Sequence, residues 1–258
     1  MKQYVVIAAL LVGCVTEEDL SEMQDGVTST NKLAANKLAA NKLSANKLAA
    51  QKLGQGSFTG NALIETADGR DVLTYITRCA LTPSQTITLK DSTGASYTFT
   101  GEIGLGSAWT TRALTLSEQR WVSACVLART NYYGVQVSLS LRGNNSVLAT
   151  VPNEVLTYSA PEAAFYGNLF VAGQSENACI SLQKDLGVGS PSYALRQCAV
   201  ETATGSKTTM CGFAYRGLCA TACGIGVAPY QNCSGTDGTY AEVITVELSN
   251  GLLQQTTI

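Results

Sequence analysis

Sulfur is the dominant reactive group in this chain, which carries nine Cys and no His among 258 residues. Without imidazole it cannot build a Ser-His-Asp triad, a Cys-His dyad, or a His-ligated zinc, haem or facial iron site. The sulfur itself can bridge or bind metal. Eight Cys lie after residue 56: Cys79, Cys125, Cys179, Cys198, Cys211, Cys219, Cys223 and Cys233. An even count of this kind in a secreted chain implies disulfides. Eight thiols allow 105 connectivities. A weak preference joins Cys79 to Cys125 and leaves the other six open. Cys211, Cys219, Cys223 and Cys233 also read C-x7-C-x3-C-x9-C. Structural zinc sites use paired C-x2–4-C knuckles, which only Cys219 and Cys223 meet. Bridging is therefore expected, with no metal and no cofactor.

Paired carboxylates are the acid–base device that survives the lack of His. Glycoside hydrolysis needs two, one neutral and one ionised. Glu118 lies near Trp121, and Glu162 precedes Phe165-Tyr166, so an apolar wall is available to each. Both have simpler explanations. Thr115 with Glu118 forms a capping box, and Glu162 follows Pro161 as an exposed turn residue would. No catalytic residue is assigned.

Three further patterns are weaker. Ser181-x-x-Lys184 with Lys207-Thr208-Thr209 resembles the motifs of penicillin-recognising enzymes. The separation of the two elements is too short for that fold, so they read as solvated surface. Asp68-Gly69-Arg70-Asp71 and Asp237-Gly238 lack the alternating ligands of a calcium loop and read as turns. The chain has eleven Tyr. Tyr132-Tyr133 offers a platform for sugar rings, against the ordinary use of Tyr as strand filling.

These groups need a scaffold. Leu116 to Asn131, free of Pro and Gly, predicts a largely buried helix capped by Thr115, with Arg129 at its carboxyl end and Gly134 beyond. A shorter helix is predicted over 71–80. Alternation predicts a hairpin of 86–89 and 97–100 through Asp91-Ser92-Thr93-Gly94, with further strands over 135–141, 165–171 and 242–248. The expected class is α+β: mainly antiparallel β with one long buried helix, stapled by about four disulfides.

The amino-terminal quarter has another texture. Lys2 and the apolar run Tyr4 to Val12 form a signal-like segment too short to cross a bilayer. Its end, Leu11-Val12-Gly13-Cys14, resembles the lipobox of bacterial lipoproteins. That resemblance implies a signal peptide over 1–13, lipid on Cys14, and a membrane as partner. Val15 is not the inner-membrane retention residue of the family, which implies the outer membrane, at its periplasmic or cell-surface face. Acidic residues Glu17, Glu18, Asp19, Glu22 and Asp25 follow. Then comes a repeat: Asn31-Lys32-Leu33-Ala34-Ala35, three close copies through Ala50, and a degenerate copy ending at Gln55. A five-residue step turns each Leu by about 140° around a helix, so no single Leu stripe forms. A docked helix and a pentapeptide-solenoid turn are both conceivable. The leading expectation is a fluctuating spacer over 14–55 that carries a disulfide-rich domain over 56–258.

The runs Glu118-Gln119-Arg120-Trp121-Val122-Ser123-Ala124-Cys125 and Glu162-Ala163-Ala164-Phe165-Tyr166-Gly167-Asn168-Leu169-Phe170 are similar to segments of uncharacterised secreted or lipid-anchored proteins of myxobacteria. That resemblance implies an envelope location and no particular chemistry. The formal charge of −2 excludes a strongly basic nucleic-acid surface. The combined expectation is a non-catalytic envelope lipoprotein for adhesion, ligand capture or envelope structure, with a glycan or envelope protein as its ligand. A carboxylate-based hydrolase of polysaccharide or peptidoglycan is the alternative.

Overall fold

A computed structural model describes residues 28–31, 33–45, 48–54, 56, 58, 60–134, 136–181 and 196–249. The signal-like segment, Cys14 and Lys184 lie outside the described residues.

Local sequence decides two helices. In α4 (Leu116–Ala128), the Thr115 side chain accepts from the Glu118 N–H at 3.3 Å, and the Glu118 carboxylate accepts from the Thr115 N–H at 2.8 Å. The predicted capping box is present. Trp121 to Ala128 are all buried, as in a helix apolar on every side. The helix ends earlier than predicted, because Thr130–Asn131 (β5) leaves to pair in parallel with Leu33–Ala34 (β2). Helix α3 (Ala67–Ala80) is as long, buries Val72, Ile76 and Ala80 along one stripe, and is bridged to α4 by Cys79–Cys125. Two comparable helices thus replace the single long one expected. Helix α3 begins before residue 71, since Thr66 caps the Gly69 N–H at 3.0 Å. The predicted Asp68–Asp71 turn is therefore the first turn of a helix. Gly69 is required there: a Cβ would lie 2.1 Å from the Ala62 carbonyl of α2 (Ala62–Glu65).

The main sheet runs β1-β6-β13-β7-β8-β9: Thr28–Asn31, Val137–Arg142, Ile244–Ser249, Tyr158–Gly167, Glu176–Ile180 and Ala214–Leu218. All its pairings are antiparallel except β8 with β9. Helix α4 lies against β7 and β13. Strand β7 starts before the predicted 165–171 run and ends at Gly167. A register shift between Val246 and Glu247 sets Glu247 opposite Pro161, which admits a residue with no N–H to give. The hairpin β3 (Thr86–Lys90) and β4 (Ser96–Thr100) forms as predicted, with Ile87 opposite Phe99. A small sheet, β10 (Cys223–Ile225), β11 (Gln231–Ser234) and β12 (Thr239–Tyr240), follows helix α6 (Cys219–Ala222). A short helix α5 (Pro152–Thr157) precedes β7. The class is α+β with mostly antiparallel sheets. Among the described residues no helix is long and apolar enough to cross a membrane.

The repeat departs from the spacer expectation. Leu33, Leu38, Leu48 and Leu53 are buried in the main core, and α1 (Ala35–Ala45) packs on α3. The five-residue step does not prevent this, because the chain is not one helix. A strand precedes α1, and a 3-10 turn at Leu48–Ala50 re-aims the chain after it. Within α1 the buried face is Ala35, Leu38, Asn41 and Ala45, a helical spacing drawn from different places in the unit. The last copies wrap Trp109: the Leu53 N–H donates to the Trp109 carbonyl at 2.8 Å, and the Trp109 indole donates to the Gln51 carbonyl at 3.0 Å. The described part of the repeat therefore belongs to the folded body, which begins before residue 56.

Candidate functional site

Where β5 ends, the chain turns sharply. The Gly134 N–H donates to the Asn131 carbonyl, and Gly134 takes a φ of 64°, open to glycine without penalty. The turn is held from both sides: the Tyr132 N–H donates to the Arg196 carbonyl at 2.9 Å, and the Tyr133 N–H to the Asn131 side chain at 2.9 Å. Two aromatic side chains are thus pinned at an exposed edge. Tyr132 and Tyr133 are 41% and 58% exposed, and their rings meet edge to face with centroids 4.9 Å apart. Large exposed rings on a fixed backbone are unusual as mere strand filling.

Tyr133 lines two clefts. One, of about 640 Å³, lies between Ala35, Ala39, both tyrosines and Met210. The other, of about 520 Å³, lies between Leu33, Asp71, Tyr75 and Gly134. Ala34, Lys37 and Tyr133 line both. The repeat therefore supplies one wall of the groove. Lys37 is the cation of that wall, with its ammonium 2.6 Å from Asp71 and 3.1 Å from Asp68. The hydrogen bond to Asp71, and then that to Asp68, raises its pKa and holds it charged. Beneath the second cleft, the buried Arg129 guanidinium stacks on Tyr75 at 4.9 Å and pairs with Glu102 at 3.0 Å. Among its described lining residues, the groove offers aromatic faces, the Lys37 cation and the Asp71 carboxylate already engaged with it.

The two carboxylates singled out from sequence do not form a catalytic pair. Glu118 is bonded through both oxygens to Arg112 at 2.7 Å, and this contact leads in pulling its pKa down to about 2. Glu162 is not an exposed turn residue but a buried position in β7, 3.0 Å from the buried Arg196. Burial pushes its carboxyl upward while the Arg196 charge opposes the shift. Arg196 also donates to the Ala128 carbonyl at the far end of α4. Glu118 and Glu162 thus sit at opposite ends of that helix, about 15 Å apart along its axis. Glycosidase pairs lie about 5–9.5 Å apart. Ser181 is buried, its N–H donating to the Glu162 carbonyl at 3.0 Å, and Thr209 is buried too, so among the described residues of the proposed surface pattern Lys207 and Thr208 are the exposed ones.

All eight Cys pair: Cys79–Cys125, Cys179–Cys219, Cys198–Cys211 and Cys223–Cys233. The first was the pairing preferred from sequence. The metal-like set Cys211, Cys219, Cys223 and Cys233 is not a unit, because Cys211 belongs with Cys198. Cys179, 40 residues before Cys219, takes its place, a partner that spacing could not reveal. Asp237 stays in a turn, where its carboxylate accepts from Ser175 and Tyr240.

No family model, no curated protein and no solved structure matches this chain.

Proposed function

We propose that this chain is a non-catalytic lipoprotein of the cell envelope, held at the outer membrane by lipid on Cys14, whose domain captures a glycan in the tyrosine groove. The observation that carries the reading is the exposed Tyr132–Tyr133 pair, both rings lining one cleft and Tyr133 the second as well. Sugar rings present C–H faces that stack on aromatic planes and hydroxyls that bond to charged side chains. Lys37, Asp68 and Asp71 supply the charged groups beside the rings. A rigid backbone under the tyrosines keeps the ordering cost of binding low. A lipid anchor on a thiol suits this use, since each buried CH₂ contributes about 0.8 kcal/mol and two chains hold permanently.

The test is calorimetric titration of the detergent-solubilised full chain with envelope polysaccharide, beside Tyr133→Ala. Saturable binding lost in the variant supports the reading, and absence of binding by the unaltered chain overturns it. The alternative, a carboxylate-based hydrolase, predicts new reducing ends in the same mixture.

A further inference from the structure

Away from the groove, a second small core gathers Cys179, Cys219, Cys223 and Cys233 with Tyr166, Tyr230 and Tyr240. The sulfurs arrive from four elements: β8, α6, β10 and β11. Cys223 and Cys233 are direct cross-strand partners. Cys219 and Cys223 are four apart at the end of one helical turn. The two bridges are also in contact with each other. The Sγ atoms of Cys179 and Cys223, which are not bonded, lie 3.9 Å apart, and those of Cys179, Cys219 and Cys223 all lie within 4.8 Å. Four thiolates around a tetrahedral zinc-class ion, at about 2.3 Å each, stand about 3.8 Å from one another. The contact between bridges already has the length of such an edge.

We propose that these four cysteines form a soft-metal site when both bridges are reduced, holding one zinc-class ion as a tetrathiolate. Each bridge takes two electrons and two protons from a dithiol, which is itself oxidised to a cyclic disulfide. The four thiols then release their protons as the ion binds. Each bonded pair must open from about 2 to 3.8 Å, a rotation of side chains on strands held by other pairings. The oxidised and metal-bound forms exclude one another, and each supplies a cross-link. The small sheet needs one, because its strands are too short and its core too slight to hold without a staple. Soft sulfur ligands in tetrahedral array select zinc-class ions over magnesium or calcium.

The test uses the full chain, reduced with dithiothreitol, freed of it anaerobically and titrated with Co²⁺. The expected result is the visible absorption of a tetrahedral cobalt thiolate, saturating at one ion per chain. Cys179→His should shift that absorption and not abolish it, since one nitrogen replaces one sulfur. Cys198→Ala with Cys211→Ala should leave it unchanged. Absence of the absorption in the unaltered chain overturns the proposal, as does an absorption indifferent to Cys179→His or lost with Cys198 and Cys211.

Discussion

Glu162 and Arg196 form an ion pair at 3.0 Å between side chains 4% and 0% exposed. Two charges withdrawn from water so completely depend on each other. Glu162→Gln or Arg196→Met alone leaves an uncompensated buried charge and should cost about 3–5 kcal/mol. The double variant should cost less than the sum of the two. Urea midpoints of the three variants measure this, and additive losses would show that the pair is not coupled.

Acid should weaken the start of α4. The Glu118 carboxyl is lowered from 4.5 to about 2 by Arg112 and the Thr115 cap. A lowered carboxyl stabilises the fold fully above its unfolded value and loses that contribution as pH falls from 4.5 towards 2. Stability of the unaltered chain should therefore decline through that window. Glu118→Gln should flatten the decline. Thr115→Ala should cost about 1 kcal/mol near neutrality.

The bridges should differ in worth. Cys79–Cys125 closes 46 residues and Cys223–Cys233 only 10. Loop-closure entropy gives about 4 kcal/mol for the first and roughly 2.5–3 for the second. Paired Cys→Ala variants, compared by denaturant unfolding, should preserve that order. A reversed order would show that packing around the small sulfur core outweighs chain entropy.

The repeat offers a decisive comparison. Leu38 and Leu48 are 3% and 5% exposed, so either Leu→Ala change should cost about 2–5 kcal/mol. The same change on a solvated spacer would fall within about 0.5 kcal/mol. Thermal or urea unfolding separates the two cases directly.

Attachment is checked independently of the fold. Cys14→Ser should move the protein from the membrane fraction to the soluble fraction and abolish incorporation of labelled fatty acid. Continued sedimentation of unlabelled protein with membranes would remove the anchor from the proposed function.

What could be read from the sequence was local. The Thr115–Glu118 box and the hairpin across Asp91–Gly94 depend on residues a few positions apart, and both formed as predicted. Strand β7 begins earlier than alternation predicts, because Pro161 disfavours a strand and a distant bulge in β13 makes room for it. Glu162 looked exposed because its partner lies 34 positions away, across a fold that only long-range pairing creates. The repeat hid its packing because a five-residue step matches neither the strand nor the helix period. For the groove, the Tyr132-Tyr133 pair was visible in the sequence. Its other wall was not, since Ala34 and Lys37 reach it only once the repeat has folded back.

The inward side of α1 takes Ala35, Leu38, Asn41 and Ala45 from successive copies of one unit. Sliding the chain to the next copy would substitute Ala40, Leu43, Asn46 and Ala50, which are the same residues in the same order. The body of the protein thus recognises a word and not its address. Duplicating one unit in the gene would leave the buried contacts of α1 chemically unchanged, and would bring repeat residues into the place of β1 opposite β6.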